Sequence, residues 1–286
     1  MPNRIKWSLL GIPDHQGVAN VGGRLGAADG PAAFRYVYRI LRGRRDLAAI
    51  CSDQGEVKGL GSDVATNHRR AADAIKEMHE TSGVSVVVGG GHDHGFSQLL
   101  GVTEALKGKT VGCINIDAHL DVRKPESPHK IGSGSPFYLA IEAGVLEPSR
   151  FVEFGIQSHC NGEELWNYAD SKKVKIVNWG DLRRKDAARA FASELEGLAR
   201  ACDAIVVSLD LDAVAQAYAP GVSAPQSEGF TPSDFIEMAE VAGAHSKVVS
   251  LGIFELNPLH DVDRRTARLA ATTAFHFVDS ATSRRN

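Results

Sequence analysis

The hydrophobic pattern of the chain consists of short apolar runs separated by longer amphipathic stretches. In the stretch 64–80, for example, Ala71, Ile75 and Met78 recur at helical spacing. The apolar runs are rich in β-branched residues and predict strands at residues 7–12, 47–51, 84–88, 111–116, 151–156, 175–177, 204–209 and 248–254. This alternation of strands and helices predicts an α/β fold with a mostly parallel sheet and helices on both faces.

Polar residues with metal-binding chemistry follow the predicted strand 111–116. Asp117, His119 and Asp121 come directly after its last apolar residue. Two carboxylates and an imidazole placed so close together cost charge repulsion and desolvation, which a cation among them relieves. Alternating spacing turns the three side chains to one side, and mixed oxygen and nitrogen ligands suit a divalent cation such as manganese. The alternative is an N-cap aspartate followed by polar loop residues.

Three other predicted strands end in a similar way. Strand 84–88 leads through three glycines to His92, strand 204–209 leads to Asp210 and Asp212, and strand 248–254 leads to Glu255. Open α/β sheets bind their ligands at the carboxyl ends of parallel strands, so these residues are expected to meet. The predicted metal ligands are His92, Asp117, His119, Asp121, Asp210 and Asp212.

Charge balance predicts two metal ions at this site. The six residues include four carboxylates, so one divalent ion would leave a net charge of about −2 in a partly buried pocket, whereas two ions balance it. Such a centre generates hydroxide from a bridging water near neutral pH and therefore indicates hydrolysis. The sequence contains neither a P-loop nor a dinucleotide-binding fingerprint.

Composition and charge narrow the classes of partner. The chain has 286 residues and no linker-like composition shift, which predicts a single domain over residues 1–286. A net charge of −3 provides no basic field for nucleic acid. We also find no apolar run of about 18 residues and no signal-peptide pattern, which predicts no membrane partner and a cytoplasmic location. Small molecules are the expected partners.

Three motifs together resemble the manganese motifs of the arginase-like ureohydrolase family. They are GGGHD at residues 89–93, DAHLD at 117–121 and SLDLD at 208–212, and the resemblance extends over nearly the whole chain. It implies a three-layer α/β/α sandwich around a sheet of about eight strands, with two Mn²⁺ ions per chain on the six predicted ligands. It also implies hydroxide attack on an amidino or formimidoyl carbon, and a homo-oligomer, either a trimer or a hexamer.

Sequences around the metal motifs are most similar to those of the formimidoylglutamase branch of this family. They include LDVR at 120–123, GSGSPF at 132–137 and DRRTARLAA at 263–271. This resemblance implies an acidic amidine substrate, N-formimidoyl-L-glutamate, hydrolysed to L-glutamate and formamide. Arginases carry a histidine where this chain has Ser133, so a proton shuttle by that histidine is not available. Either Asp93 or His94 replaces it, or the reaction needs no such histidine.

Glu255 lies in the sequence FELNP and resembles the acidic residue with which the family grips the cationic nitrogen end of its substrate. We assign catalytic roles to Glu255 and to the ligand Asp121. Arg123 lies two positions beyond Asp121 and is expected to select an acidic substrate, because the planar guanidinium of arginine pairs bidentately with a carboxylate. Further candidate substrate contacts are Asn20, Arg24 and Ser133.

Three other interpretations compete with this one. Another ureohydrolase would act on agmatine, arginine or a guanidino acid, although an arginine near the site argues against agmatine, which has no carboxylate. A deacylase on the same fold would hold one zinc ion, and its chemistry does not require both Asp121 and the second aspartate of the third motif. A metal-binding module or degenerate paralogue would show damaged ligands, and the sequence shows none.

Overall fold

The centre of the structure, a computed structural model that describes residues 6–127 and 129–284, is a parallel sheet. Its strands are β1 (Trp7–Gly11), β2 (Cys51–Glu56), β3 (Val84–Val88), β4 (Val111–Ile116), β5 (Phe151–Ile156), β6 (Lys175–Asn178), β7 (Ala204–Asp210) and β8 (Val248–Phe254). They are ordered β2-β1-β3-β8-β7-β4-β5-β6, and every neighbouring pair is parallel. Strands β3, β4, β5 and β7 are buried along their whole length, as expected where both faces of a sheet are covered.

Helices cover both faces of this sheet. They are α1 (Gln16–Asn20), α2 (Gly30–Tyr38), α3 (Val64–Thr81), α4 (His94–Ala105), α5 (Pro136–Glu142), α6 (Glu163–Lys172), α7 (Trp179–Leu182), α8 (Ala187–Ala199), α9 (Pro232–Ala244) and α10 (Arg265–Ala281). Helices α2, α8, α9 and α10 share one hydrophobic core with the sheet, and α3, α4, α5 and α6 share the other. The three-layer α/β/α sandwich predicted from the sequence is therefore confirmed.

The two cores follow from the alternation of side chains along each strand. In β4, Ile114 and Ile116 belong to one core while Val111 and Cys113 belong to the other. Successive residues of a strand point to opposite faces, so an uninterrupted apolar run supplies both cores at once. No helix in the described part of the chain is both long enough and apolar enough to cross a membrane.

One predicted strand is wrong. The apolar run 47–51 was expected to form a strand, but the structure has a 3-10 turn at Ala48–Ile50, and β2 begins only at Cys51. Strand β2 has the sequence CSDQGE and lies at the edge of the sheet, where it pairs with β1 alone. An edge strand with solvated side chains needs no apolar pattern, which is why hydrophobicity did not indicate it.

Candidate metal centre

The structure brings all six predicted ligands together at the carboxyl ends of the central strands. Strands β3, β8, β7 and β4 are consecutive in the sheet, so the loops that follow them converge. One ligand comes from the loop after β3, three from the loop after β4 and two from the end of β7: His92, Asp117, His119, Asp121, Asp210 and Asp212. All are buried except His119, whose side chain is 23% exposed.

The first group of ligand atoms surrounds a single ring nitrogen. His92 Nδ1 lies 3.0 Å from an Oδ2 atom of each of three aspartates, namely Asp117, Asp121 and Asp210. A ring N–H donates to one acceptor at a time, so hydrogen bonding does not explain three equal distances. Adjacent ligands of an octahedral ion, with metal–ligand distances of about 2.1 Å, are about 3 Å apart. The group therefore fits a divalent cation.

A second group lies beside the first and shares Asp117 with it. His119 Nδ1 is 3.5 Å from Asp117 Oδ1 and 3.2 Å from Asp212 Oδ2. Asp117 thus turns one carboxylate oxygen toward each group. The other oxygen of Asp212, Oδ1, is buried and has no hydrogen-bond donor within the described protein. The arrangement is that of two neighbouring cation sites joined by one bridging carboxylate.

The pKa shifts of these residues have a common origin in crowded, buried negative charge. Burial together with the neighbouring Asp212 raises the pKa of Asp210 well above its ordinary value, and burial raises the pKa of Asp212 to about 6. Burial alone would lower the pKa of His92, but the carboxylates that face the ring raise it well above the ordinary value. Divalent cations relieve this repulsion directly.

His92 is held in a fixed orientation by contacts on three sides. Its ring stacks on Phe254 at a centroid distance of 5.1 Å and meets Phe137 edge-on at 5.7 Å. Its second nitrogen, Nε2, is hydrogen-bonded to Ser208 Oγ at 2.8 Å. A metal-ligating histidine commonly uses its other nitrogen in this way, and here the contact leaves Nδ1 facing the three aspartates.

Hydrogen bonds from neighbouring parts of the chain hold the DAHLD loop at residues 117–121 in place. Asn115 Nδ2 donates to Glu153 Oε2 at 2.9 Å and approaches Asp117 Oδ2 at 3.3 Å. Glu153 lies in β5 and is fully buried, and burial raises the pKa of its carboxyl well above the ordinary value. Asn161 accepts from the backbone N–H of Leu120 at 2.8 Å. These contacts fix the position of Asp117.

Glu255 borders the metal centre at the end of β8. Its backbone is left-handed, with φ 65°, and its Oε1 accepts from the backbone N–H of His92 at 2.9 Å. Oε2 accepts from the hydroxyl of Ser223. Burial raises the pKa of the Glu255 carboxyl to about 7. The carboxylate is therefore held in one orientation beside the predicted ligands.

A cleft of about 520 Å³ opens above the metal centre. Asn20 and its neighbours line it from one segment of the chain and Arg123 and Ser133 line it from another, which we call its two walls, and Glu255 is also part of the lining. Arg123 is exposed and forms no ion pair or side-chain hydrogen bond with any residue that the structure describes. An unneutralised guanidinium at the mouth of an acidic site is suited to the carboxylate of a ligand.

Two of the other predicted substrate contacts also line the cleft, but both take part in contacts between its walls. Asn20 Nδ2 donates to the carbonyl oxygen of Ile131 at 2.8 Å. The backbone N–H of Ser133 donates to the carbonyl oxygen of Gly17 at 3.1 Å. Asn20 and Ser133 therefore help to join the two walls of the cleft as well as to line it.

Arg24, which the sequence predicted as a substrate contact, does not line the cleft in the structure. Its Nε donates to the carbonyl oxygen of Ser223 at 3.3 Å, and Nη2 donates to those of Pro220 and Val222. These carbonyl groups occupy the guanidinium, and Arg24 is not among the residues that line the cleft. Its side chain instead holds the loop that carries Ser223.

Asp93 and His94, proposed as substitutes for the missing histidine of the family, also lie outside the cleft. The Asp93 carboxylate is hydrogen-bonded to His68 at 2.8 Å, and His94 Nε2 is 3.1 Å from Asp14 Oδ2. Both side chains are buried behind the loop that carries His92. Neither side chain reaches the cleft to transfer a proton there.

Sequence reasoning missed several residues that support the site. Ser208 and Asn115 each lie two positions before a predicted ligand, so strand alternation already places them on the ligand side. Glu153 is the single charged residue in the buried strand FVEFGI, and a lone charge in an apolar strand also indicates a functional or supporting residue. Ser223 and Gln226 lie in an irregular loop, and no local pattern indicates them; Gln226 Nε2 lies 3.4 Å from the Nε2 of His119.

Fold and site together define an α/β protein that gathers histidine and aspartate ligands for divalent metal at the carboxyl ends of a parallel sheet. The model of the arginase family matches residues 5–278, and the chain belongs to that family.

Its relatives include formimidoylglutamases. The chain is 31% identical over 272 residues to the formimidoylglutamase of Staphylococcus carnosus. This match covers 94% of this chain and 85% of the relative. The crystal structure of Trypanosoma cruzi formiminoglutamase with two Mn²⁺ has a TM-score of 0.88 at 27% identity, and the match covers 98% of this chain and 95% of that one. The crystal structure of Bacillus subtilis formimidoylglutamase has a TM-score of 0.89 at 22% identity, and the match covers 100% of this chain and 90% of that one. This similarity shows a common fold.

Proposed function

We propose that the chain is a manganese-dependent formimidoylglutamase, which hydrolyses N-formimidoyl-L-glutamate to L-glutamate and formamide. The observation that carries this proposal is the placement of the Arg123 guanidinium, which has no partner among the described residues, in the cleft above two cation sites that share Asp117. The relatives named formimidoylglutamase, and the manganese in the related crystal structure, support it.

We assign the six clustered residues as ligands of two Mn²⁺ ions. His92, Asp121 and Asp210 would hold one ion, His119 and Asp212 would hold the other, and Asp117 would bridge them. Their fit to cations rests on the equal distances around His92 Nδ1 and on the buried Oδ1 of Asp212, which has no hydrogen-bond partner in the described part of the chain. When bound, the ions supply hydroxide near neutral pH by lowering the pKa of a coordinated water.

Glu255 would orient the reacting group of the substrate. A cationic formimidoyl nitrogen beside this buried carboxylate gains a charge-assisted hydrogen bond, which is stronger where water is excluded. The contacts from the His92 backbone and from Ser223 fix the carboxylate before the substrate arrives, so little reorganisation is needed. The substrate carbon is thereby directed toward the metal centre.

The reaction adds water across the formimidoyl carbon and breaks its bond to the glutamate nitrogen, which must take up a proton as it leaves. We propose that Asp121 accepts the proton lost by the attacking water and passes it to the leaving nitrogen. Its Oδ2 faces the cluster at 3.0 Å from His92 Nδ1, while Oδ1 has no hydrogen-bond donor among the described residues. Asp121 also lines the cleft, as this transfer requires.

Arg123 would bind a carboxylate of the glutamate moiety, with Asn20 and Ser133 as polar neighbours in the two walls. This assignment favours an acidic amidine over agmatine, which carries a second amine instead of a carboxylate. The two adjacent ligand groups also favour a binuclear centre over the single zinc site of a deacylase.

A comparative assay with matched metal analysis tests the proposal. Purified protein reconstituted with Mn²⁺ should contain about two ions per chain and should hydrolyse formimidoylglutamate with a kcat/KM far above that for arginine or agmatine. Release of urea from either guanidino compound at a higher rate would assign the chain to another branch of the family. Full activity with one tightly bound zinc ion would contradict the binuclear centre.

We also propose that the chain forms a homo-oligomer, a trimer or a hexamer, as the family resemblance implies. Light scattering coupled to size-exclusion chromatography measures this directly, and a monomer would contradict it. A cytoplasmic location and a single-domain organisation likewise stay predictions. Cell fractionation tests the location, and the cooperativity of thermal unfolding tests the domain organisation.

A further inference from the structure

A second buried polar cluster lies behind the metal centre and outside the cleft. It consists of five side chains that are at most 6% exposed: Asp14, Asn67, His68, Asp93 and His94. We call it the anchor cluster. Its members come from the segment before α1, from α3 and from the start of α4. Buried polar groups are costly unless they are paired, so such a cluster requires a structural or functional explanation.

Asp93 is wedged between helix α1 and the loop that carries His92. An added Cβ would lie 2.2 Å from Asp93 Oδ1 at Gly17 in α1, and 2.5 Å from it at Gly91. The carboxylate fits only because both positions are glycine. On its other side, Asp93 Oδ2 is hydrogen-bonded to His68 Nε2 of α3 at 2.8 Å.

Asp14 connects the same elements at the start of α1. Its Oδ2 accepts from Asn67 Nδ2 at 2.8 Å and lies 3.1 Å from His94 Nε2, while Oδ1 accepts from the backbone N–H of Gln16 at 2.8 Å. Its carbonyl oxygen accepts from the N–H of Gly91 at 3.1 Å. One residue therefore links α3, α4, the metal-bearing loop and the first turn of α1.

Helix α1 has only five residues and carries one wall of the cleft. A helix this short is not stable alone, so its position depends on tertiary contacts. On the cleft side it reaches the opposite wall through the hydrogen bonds of Asn20 to Ile131 and of Ser133 to Gly17. On the side that faces away from the cleft, α1 is fixed by direct contacts with Asp14 and Asp93.

We propose that the anchor cluster is a positioning device that holds α1 in place as the substrate-binding wall, with His68 as the residue that fixes Asp93 from α3. His68, Asp93 and His94 also lie close enough together to surround a cation. However, His68 Nε2 and His94 Nε2 are already hydrogen-bonded to Asp93 and Asp14, respectively. These contacts hold both histidines without a third ion, while Asp93 Oδ1 and His68 Nδ1 have no hydrogen-bond partner among the described residues.

The test compares variants at two histidines of the same helix. In His68→Ala the Asp93 carboxylate loses its partner, whereas in His68→Gln an amide donor remains. His79→Ala removes another buried histidine of α3, one that is hydrogen-bonded to Ser85 at 2.7 Å and forms no side-chain hydrogen bond with α1 in the described part of the chain. It controls for the general loss of stability that follows removal of a buried side chain.

We expect His68→Ala to raise KM for formimidoylglutamate about tenfold, with kcat within about twofold, because α1 contacts the substrate and not the reacting atoms. Amide hydrogen exchange in residues 15–23 should accelerate at least about tenfold, since a lost buried hydrogen bond loosens the segment that it holds. His68→Gln should restore both values, His79→Ala should change neither, and all variants should bind about two Mn²⁺ ions.

The KM readout rests on the proposed function, whereas hydrogen exchange in residues 15–23 does not. If the chain fails to hydrolyse formimidoylglutamate but exchange accelerates only in His68→Ala, the function is wrong and the anchor cluster stands. Unchanged exchange in His68→Ala, or equal acceleration in His79→Ala, would overturn the anchor cluster. A third metal ion in the wild type that is absent from His68→Ala would also overturn it.

Discussion

Replacing Arg123 with alanine tests how the cleft selects its substrate. The guanidinium is exposed at the mouth of the cleft and has no ion-pair partner in the described part of the chain. Opposite charges about 4 Å apart attract by about 1 kcal/mol in water and about 4 kcal/mol at an effective dielectric constant of 20. A partly solvated cleft lies between these limits, so we expect a loss of about 2 kcal/mol, or about 30-fold in kcat/KM.

The assay compares two substrates and three variants. Formimidoylglutamate carries the carboxylates that Arg123 would bind, whereas an N-formimidoyl alkylamine keeps the reacting group and lacks them. Arg123→Ala should lose activity on the first substrate only, mainly through KM, with unchanged manganese content. The activity of Arg123→Lys on formimidoylglutamate should lie between those of the wild type and Arg123→Ala, since lysine keeps the charge but not the bidentate geometry.

Lys130 provides the matched control. It also lines the cleft, but its ammonium already pairs with Glu126 at 2.9 Å. The double variant Lys130→Gln and Glu126→Gln removes this ion pair without changing the net charge of the cleft, so kcat/KM should stay at the wild-type value. If Arg123→Ala reduces activity equally on both substrates, or lowers the manganese content, then Arg123 supports the metal site and the reasoning about substrate choice is refuted.

Three further predictions concern the metal centre and its surroundings. Asp117→Ala or Asp210→Ala should abolish activity and reduce bound manganese while leaving the circular dichroism spectrum unchanged; full activity in either variant would contradict the ligand assignment. Glu255→Gln should lose about tenfold to a hundredfold in kcat/KM, because a charge-assisted hydrogen bond is worth roughly 1.5 to 3 kcal/mol; an unchanged value would place Glu255 outside the reaction. Burial would raise the pKa of Asp14, but the hydrogen bond and charge of His94 lower it from 3.8 to about 2. The ionised Asp14 therefore contributes stability above pH 3.8 that is lost as the pH falls toward about 2. Between these pH values the free energy of unfolding, measured with urea, should fall less for Asp14→Asn than for the wild type. Parallel curves of unfolding free energy against pH would contradict the lowered pKa of Asp14.

The sequence was enough to predict seven of the eight strands and the metal-binding residues at their carboxyl ends. Strands β4 and β8 begin and end where the apolar runs 111–116 and 248–254 predicted, because a strand covered on both faces of the sheet is mostly apolar. Polar residues such as Asp117, and Asp210 after the run 204–209, stood out against the apolar runs that they follow. Since parallel strands end at a common edge, local pattern alone was enough to predict that these ligands meet.

Tertiary structure decided the features that depend on contacts between distant parts of the chain. Arg24 has the residue type of a substrate contact, but three carbonyl groups almost two hundred positions away hold its guanidinium. Asp93 follows a ligand in sequence, yet it packs away from the cleft against Gly17 and His68. A sequence pattern records which groups are polar. Which partner satisfies each group is decided only when folding brings the helices and loops together, because a buried polar atom takes the hydrogen bond that the surrounding structure provides.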